Sequence, residues 1–203
     1  MGKIAFVFAG QGAQYTGMGQ ELSRVSLAAK SVFEMADAIR PGTSAQCFNG
    51  EKEVLLDTKN TQPCLFCVDL AAARALAERG VRPDALAGFS LGEIPALCFA
   101  GAMRDRDGFR LVCRRGELMQ RASEASGSGM MAVLRLRDAD AESLCKKYPH
   151  VYPANYNGPG QLVAAGLKSE LALLAADVKA AGGRALLLPV SGGFHSPFME
   201  PAA

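Results

Sequence analysis

Along the first part of the chain, the apolar positions follow two patterns: short continuous runs and repeats with a helical period. The continuous apolar run at residues 4–8 ends in a glycine-rich turn, which is typical of a buried parallel strand. Residues 61–79 repeat apolar positions with a helical period, and a short apolar run at 85–88 then leads to Ser90. A helical pattern resumes after this serine. Strand and helix therefore alternate, which predicts an α/β body built on a parallel sheet.

The pattern changes after the serine- and glycine-rich stretch 123–129, which predicts a flexible hinge or linker. Beyond it the predicted strands are 130–136, 151–155, 161–166 and 184–190, and the predicted helices are 138–147 and 168–181. This β-α-β-β-α-β order is that of a ferredoxin-like unit. We therefore predict a smaller subdomain at 127–189, with residues 1–126 and 190–203 forming the α/β body.

Composition excludes several classes of protein. The chain has 203 residues, 49% of them hydrophobic and 21% charged, so it has enough apolar surface to fold. Lys and Arg number 22 against 20 for Asp and Glu, and a net charge of +2 does not favour a nucleic-acid partner. Neither a signal peptide nor an apolar stretch of membrane length is present. We expect a cytoplasmic protein without a membrane partner.

The cysteines do not predict a disulfide framework or a metal site. Six cysteines over this length, without a secretory signal, are expected to be reduced. Cys64 and Cys67 form a lone C-x-x-C pair inside the helical pattern at 61–79, with no second pair and no histidine nearby. We predict that Cys64 and Cys67 are buried thiols of the core, and we expect no bound metal.

A nucleophile candidate stands between the second strand and the helix that follows it. Residues 88–92 read Gly-Phe-Ser-Leu-Gly and match G-x-S-x-G, the motif that projects a serine from a sharp strand-to-helix turn. Pro95 falls in the first helical turn, where no backbone hydrogen bond is lost. The N–H of Leu91 is then free to stabilise an oxyanion. The alternative is that Ser90 merely caps the helix.

A serine nucleophile needs a base, and the chain has two histidines. His150 lies in a polar connection after a predicted helix and reads as a solvated loop residue. His195 follows a buried strand and the pair Gly192-Gly193, where the backbone can approach its neighbours closely. Alone, His195 is equally compatible with a structural role. Together with Ser90 it is the favoured base.

The glycine-rich turn after the first strand suits an oxyanion donor better than a dinucleotide. Gly10 and Gly12 begin the dinucleotide fingerprint, but Tyr15 occupies the place of its third glycine, and no phosphate-binding loop pattern fits. A turn that exposes backbone N–H groups can instead supply an oxyanion donor. Gln11 is the candidate.

Arg115 lies among apolar residues on a predicted helix spanning 107–123. Its helical neighbours are Leu111, Val112, Leu118 and Met119. A guanidinium keeps its charge, and burying it unpaired costs several kcal/mol. Arg115 therefore needs a carboxylate, either from an internal Asp or Glu or from a substrate held by paired hydrogen bonds. Arg110 and Arg114 fall elsewhere on the helix and are expected at the surface.

These residues together resemble the malonyl/acyl transferase family of fatty-acid and polyketide synthesis. The matching segments are GQGAQYTGMG at 10–19, TQP at 61–63, GFSLGE at 88–93, RRGELMQ at 114–120, NYNGPGQ at 155–161 and LPVSGGFHSPFMEPA at 188–202. The resemblance implies that Ser90 is the acylated nucleophile and His195 its base. It also implies that the N–H groups of Gln11 and Leu91 form the oxyanion hole and that Arg115 binds a malonyl carboxylate.

The resemblance further implies a reaction and its partners. A malonyl group would pass from malonyl-CoA to Ser90 and then to the phosphopantetheine thiol of acyl carrier protein, with no metal or redox cofactor. Phe89 replaces the histidine common in the family before the nucleophile, whereas Phe194 resembles the residue of malonyl-selective members. Family members continue beyond the match, so we expect a further segment to complete the α/β body and orient His195. We expect residues 1–203 alone to be a poor catalyst.

Three other functions share part of this pattern. A serine thioesterase or esterase would use Ser90 and His195 but would have no use for a buried Arg115. A carrier-protein-binding fragment without catalysis is a second alternative. A transacylase of a polyketide synthase or malonate decarboxylase is a third, and the motifs do not separate it from fatty-acid synthesis.

Overall fold

The computed structural model describes residues 2–203 as two compact units, one reaching Glu117 and the other spanning Leu118–Ala203. The first unit contains β1 (Ala5–Phe8), α1 (Gln20–Val25), α2 (Leu27–Ile39), α3 (Thr43–Asn49), α4 (Lys52–Leu56), α5 (Thr58–Glu78), β2 (Ala85–Gly88) and α6 (Glu93–Phe99). Helix α7 (Asp105–Ser126) begins in this unit and ends in the second.

The core of the first unit surrounds α5, of which the N-terminal half is almost wholly buried. Phe66 and Leu70 of this helix are fully buried and pack with Phe109 and with residues of α2. Pro63 is the sixth residue of α5, just past its first turn, where its missing N–H costs one intrahelical hydrogen bond, but the helix continues through it. Cys64 and Cys67 are also fully buried there, as core thiols.

Strands β1 and β2 pair in parallel, with Ala5 opposite Ala85 and Phe8 opposite Gly88. Phe6 and Phe8 are buried against residues of α5 and α6. The prediction of a wholly buried first strand is wrong in one respect, because Val7 on the opposite face is 79% exposed. An apolar run without alternating polar residues does not indicate how many of its faces are covered.

The second unit contains a four-stranded antiparallel sheet. Its elements are β3 (Ser128–Leu134), α8 (Asp138–Cys145), β4 (Val151–Gly158), β5 (Gln161–Leu167), α9 (Lys168–Ala180) and β6 (Arg184–Leu187). The strand order is β4-β5-β3-β6, and every neighbouring pair is antiparallel. Met131 and Val133 face α8 and α9, whereas Met130 lies on the other face with Phe194. The order of elements agrees with the sequence pattern.

Two predictions in this region are wrong. The predicted linker at 123–129 is regular structure, because α7 runs to Ser126 and β3 begins at Ser128. Ser123 and Ser128 are buried rather than solvated, and the Ser123 hydroxyl donates to the carbonyl of Met119. Strand β6 ends at Leu187 rather than at 190, since Pro189 lacks the N–H that a continued ladder requires.

Within residues 2–203, no helix is both long enough and apolar enough to cross a membrane.

Candidate active site

Ser90 stands at the sharpest turn of the first unit. It begins a short 3₁₀ turn, Ser90–Gly92, between the end of β2 and α6, and its φ of 53° is left-handed. A side chain at Gly88 would lie 2.3 Å from the backbone nitrogen of Glu93, and one at Gly92 would lie 2.2 Å from the carbonyl oxygen of Phe8. Both glycines of G-x-S-x-G are therefore required by close backbone contacts. The left-handed serine between them carries strain of about 1–3 kcal/mol.

The loop after β1 lies directly beside this turn. A side chain at Gly10 would meet the ring and the carbonyl of Phe89 at 2.5 Å and 2.7 Å. The N–H of Gln11 donates no hydrogen bond within residues 2–203. Its side-chain amide donates to the hydroxyl of Thr58 over 3.2 Å, so the loop is tied to the start of α5. The strand-end turns that carry Gln11 and Leu91 are thus neighbours, as an oxyanion hole requires.

Arg115 lies on α7 in the same unit as Ser90. Its Nη1 atom is buried and has no hydrogen-bond partner within residues 2–203. Burial lowers the pKa of the guanidinium, and the charge of Glu93 acts in the opposite direction. The residue after Arg115, Gly116, is packed against the backbone of Thr58, where an added side chain would lie 3.0 Å from the carbonyl oxygen.

The helical environment predicted for Arg115 is correct only in part. Val112 is fully buried, but Leu111 is 45% exposed. Arg110 and Arg114 lie at the surface as expected, within 3.6 Å and 3.4 Å of carboxylates one turn away on α7. Arg115 therefore differs from its two neighbouring arginines in lacking an acidic partner at ion-pair distance among the described residues.

His195 belongs to the second unit and also adopts a left-handed φ, 56°. The two glycines before it pack tightly. A side chain at Gly192 would lie 2.1 Å from the hydroxyl of Ser123, and the N–H of Gly193 donates to the hydroxyl of Ser128 over 2.8 Å. Phe194 is buried in the apolar cluster with Met130. These contacts fix the backbone of the segment and leave the imidazole of His195 exposed.

The other histidine is a surface residue. The Nδ1 atom of His150 lies 2.8 Å from Oε1 of Glu170, and His150 is exposed. The hydrogen bond from His150 lowers the pKa of the Glu170 carboxyl. This agrees with the prediction of a solvated position, although the ion pair with Glu170 was not predicted.

Sequence reasoning missed Asp69 altogether. This residue lies on α5, and its Oδ2 atom is buried without a hydrogen-bond partner within residues 2–203. Burial raises the pKa of its carboxyl to about 7, against the opposing effect of a hydrogen bond from the N–H of Ala9. The signal in the sequence was an acidic residue inside an otherwise apolar helical segment.

The chain matches known proteins in both sequence and fold. The model of the acyl transferase domain family matches residues 5–203. The malonyl CoA-acyl carrier protein transacylase of Bacillus subtilis is 41% identical over the whole chain. A crystal structure of the enzyme of that name from Clostridium perfringens superposes with a TM-score of 0.92 at 40% identity over 99% of the chain. The structure of a type II polyketide synthase acyl-carrier protein in complex with its malonyl-transacylase superposes with a TM-score of 0.93 at 36% sequence identity. The match covers 99% of this chain and 67% of that one.

The fold, a parallel pair of strands followed by an antiparallel sheet, is thus that of acyltransferase structures. The chain belongs to the acyl transferase domain family. It spans 66% of the length of the Bacillus relative and 65% of the Clostridium chain.

Proposed function

We propose that this protein transfers a malonyl group from malonyl-CoA to the phosphopantetheine thiol of acyl carrier protein through a malonyl ester of Ser90. The observation that carries the proposal is the buried Nη1 atom of Arg115, which has no hydrogen-bond partner among the described residues of its own unit. An anionic acyl group supplies the missing acceptor, because a carboxylate accepts paired hydrogen bonds from a guanidinium. The names of the relatives support the same substrate and carrier.

In the first half-reaction, the Ser90 hydroxyl attacks the thioester carbonyl of malonyl-CoA. His195 accepts the serine proton, and the carbonyl oxygen becomes an oxyanion that the N–H groups of Gln11 and Leu91 stabilise. When the tetrahedral intermediate collapses, the bond from carbon to sulfur breaks. The CoA thiolate takes the proton from His195 and leaves, and Ser90 carries the malonyl ester.

In the second half-reaction, the carrier-protein thiol enters the same site. His195 removes its proton, the thiolate attacks the ester carbonyl, and the same two N–H groups stabilise the second oxyanion. The bond between the ester oxygen and the acyl carbon then breaks, and the proton returns to Ser90. Throughout both steps Arg115 holds the malonyl carboxylate away from the reacting carbon.

Finer features of the fold belong to the same proposal. The left-handed φ of Ser90 and the close contacts of Gly88 and Gly92 support a nucleophile elbow. The strand order β4-β5-β3-β6 supports a ferredoxin-like subdomain at 127–189. Assignment of 1–126 and 190–203 to one α/β body rests on the order of elements in the sequence, and a cytoplasmic location rests on the sequence features described above.

A role in fatty-acid synthesis is favoured, and a role in a polyketide synthase is the second candidate. The bacterial relatives named as malonyl CoA-acyl carrier protein transacylase support the first. The superposition on a type II polyketide synthase complex supports the second. Transfer rates to the two kinds of carrier protein would separate them.

Acylation of Ser90 tests the proposal. Intact-mass spectrometry after mixing with malonyl-CoA should show one added malonyl group, and peptide mapping should place it on Ser90. The Ser31→Ala variant is a matched control, since Ser31 is exposed and its hydroxyl only donates to the carbonyl of Leu27. It should be labelled like the wild type. A Ser90→Ala variant that still gains the malonyl mass would refute the assignment.

The fate of the ester distinguishes a transferase from a thioesterase. A transferase keeps the malonyl ester in water and loses it when phosphopantetheinylated carrier protein is added. A thioesterase loses it in buffer alone. Time-resolved mass spectra with and without carrier protein decide between the two.

A further inference from the structure

Phe89 has an unusual position for a large apolar residue. It is 49% exposed, although it directly precedes Ser90 at the end of β2. It belongs to none of the apolar clusters formed by the described residues. Core packing therefore does not explain why an aromatic ring is present here.

The contact that Phe89 does make is with the loop after β1. An added side chain at Gly10 would lie 2.5 Å from Cδ1 and 3.3 Å from Cε1 of the ring. The ring thus covers the α-carbon of Gly10 at van der Waals distance. The carbonyl of Phe89 approaches the same carbon, at 2.7 Å from the added atom, and its N–H donates to the carbonyl of Phe8.

Apart from the side-chain hydrogen bond from Gln11 to Thr58, few hydrogen bonds hold this loop. The N–H of Ala13 reaches the carbonyl of Gly10 over a long 3.4 Å, and the N–H of Gly12 donates to the side chain of Gln14. Gly12 has a φ of 116°. A segment with two glycines has wide backbone freedom unless packing restricts it. The ring of Phe89 supplies that packing on the peptide that carries the N–H of Gln11.

We infer that Phe89 is a positioning residue that holds the Gly10–Gln11 peptide and so keeps the N–H of Gln11 aligned with Ser90. The ring and the nucleophile are adjacent in sequence, so the loop is positioned relative to the turn that carries the serine. The inference rests on the proposed function, in which this N–H stabilises the oxyanion. The backbone effect itself does not depend on catalysis.

The test combines the backbone order parameter of Gln11 with single-turnover kinetics on Phe89→Ala, Phe89→Leu and Phe89→Tyr. In Phe89→Ala, the order parameter of the Gln11 amide should fall from about 0.85 to below about 0.6, as measured by NMR relaxation. Acylation of Ser90 should slow by about 10- to 100-fold with KM nearly unchanged, because a misaligned donor loses part of the 10²- to 10³-fold effect of a complete oxyanion donor. Phe89→Tyr keeps the ring and should retain both properties.

Leu97→Ala is the matched control, since Leu97 is an apolar residue of similar exposure, 45%, on the neighbouring helix α6. It should change neither the order parameter of the Gln11 amide nor the acylation rate. Phe89→Leu keeps apolar volume without a planar ring, so it provides an intermediate case if Phe89→Ala unfolds.

Three results would overturn the inference. The first is an unchanged order parameter at Gln11 in both the alanine and the leucine variants. The second is a raised KM with unchanged acylation rate, which would make Phe89 a substrate contact. The third is equal slowing in Phe89→Tyr. If the wild type shows no acylation at all, the proposed function fails, and the order parameter of Gln11 still decides the positioning role.

Discussion

The carboxylate of Glu93 acts on the charge of Arg115 without forming a salt bridge with it. The carboxylate of Glu93 favours the charged guanidinium, opposing the lowering of its pKa by burial. Within residues 2–203, however, Arg115 and Glu93 do not form an ion pair, and Nη1 of Arg115 has no hydrogen-bond partner. Glu93 follows Ser90 by three residues, so the charge that acts on Arg115 stands in the first turn of the helix after the serine.

Replacement of Arg115 should separate malonyl from acetyl transfer. Loss of one partner of a buried charge pair costs about 3–5 kcal/mol, so Arg115→Ala should lose malonyl transfer by orders of magnitude. Acetyl transfer should persist or improve, because the acetyl group has no carboxylate. The measurement is kcat/KM for malonyl-CoA and acetyl-CoA. Arg114→Ala, which removes an exposed arginine paired with Glu117, is the control and should leave both within about twofold.

Equal losses for both acyl groups in Arg115→Ala would show that the residue is structural. Thermal unfolding of the variant then reveals whether the loss comes from the fold.

Asp69 should make the protein less stable as pH rises. Its carboxyl has a pKa of about 7 when folded, against an ordinary value of about 3.9 for an aspartate in an unfolded chain, so the folded state binds more protons between these values. The free energy of unfolding should therefore fall as pH increases from about 4 to about 7, and this loss should be complete above that window. Asp69→Asn keeps an oxygen acceptor for Ala9 but cannot ionise, so its stability advantage should grow over the same window.

Urea unfolding across this pH range provides the measurement. The control is Asp140→Asn, since a hydrogen bond from exposed Arg137 lowers the pKa of the Asp140 carboxyl instead of raising it. That variant should not gain stability relative to wild type as pH rises. An Asp69→Asn profile parallel to wild type would contradict the burial of a protonated carboxyl.

The glycine after the nucleophile should tolerate no side chain. In Gly92→Ala the new methyl would lie 2.2 Å from the carbonyl oxygen of Phe8 and 2.8 Å from that of Ala9, both backbone atoms. We expect a destabilisation of about 1–3 kcal/mol or more, measured as the shift in urea midpoint. Gly158→Ala in β4 is the control, because nothing lies within 4 Å of its added methyl. Equal stability of the two variants would contradict the contacts described for the turn.

The exposed face of the β1–β2 pair should promote self-association. Parallel sheets are normally covered on both faces, yet Val7 is 79% exposed. Sedimentation velocity over a range of concentrations should show association that Val7→Lys reduces, since charge opposes apolar contact. Val25→Lys, at a 60% exposed position at the end of α1, is the control and should have little effect. Association that persists unchanged in Val7→Lys would assign it to another surface.

The sequence was most informative where geometry demands a particular residue type. From the sequence alone, Gly88 and Gly92 indicate a tight turn at Ser90, because only glycine allows such close backbone contact. The strand and helix order of the second unit followed from the spacing of apolar positions in the same way. Arg115 was recognisable because a charge that cannot be neutralised stood among apolar neighbours.

The errors share a physical cause, which is that composition does not reveal hydrogen-bond partners distant in sequence. The serine-rich segment was predicted to be a linker, but Ser128 is buried and its hydroxyl accepts a hydrogen bond from the N–H of Gly193, 65 residues away. Asp69 was overlooked because its only described hydrogen bond is with the backbone of Ala9. The contact of Phe89 with Gly10 likewise joins two loops that no local pattern connects.

The left-handed backbone of Ser90 and His195 has a consequence for evolution and for engineering. Three non-glycine residues within 2–203 have positive φ, and the third is Arg135, which has no proposed chemical role. Glycine would relieve about 1 kcal/mol of strain at each position. Selection for thermal stability alone would therefore favour Ser90→Gly and His195→Gly, which abolish the proposed chemistry, as readily as Arg135→Gly, which spares it. A stability screen of this protein that ignores activity is expected to remove the proposed nucleophile and base along with that strain.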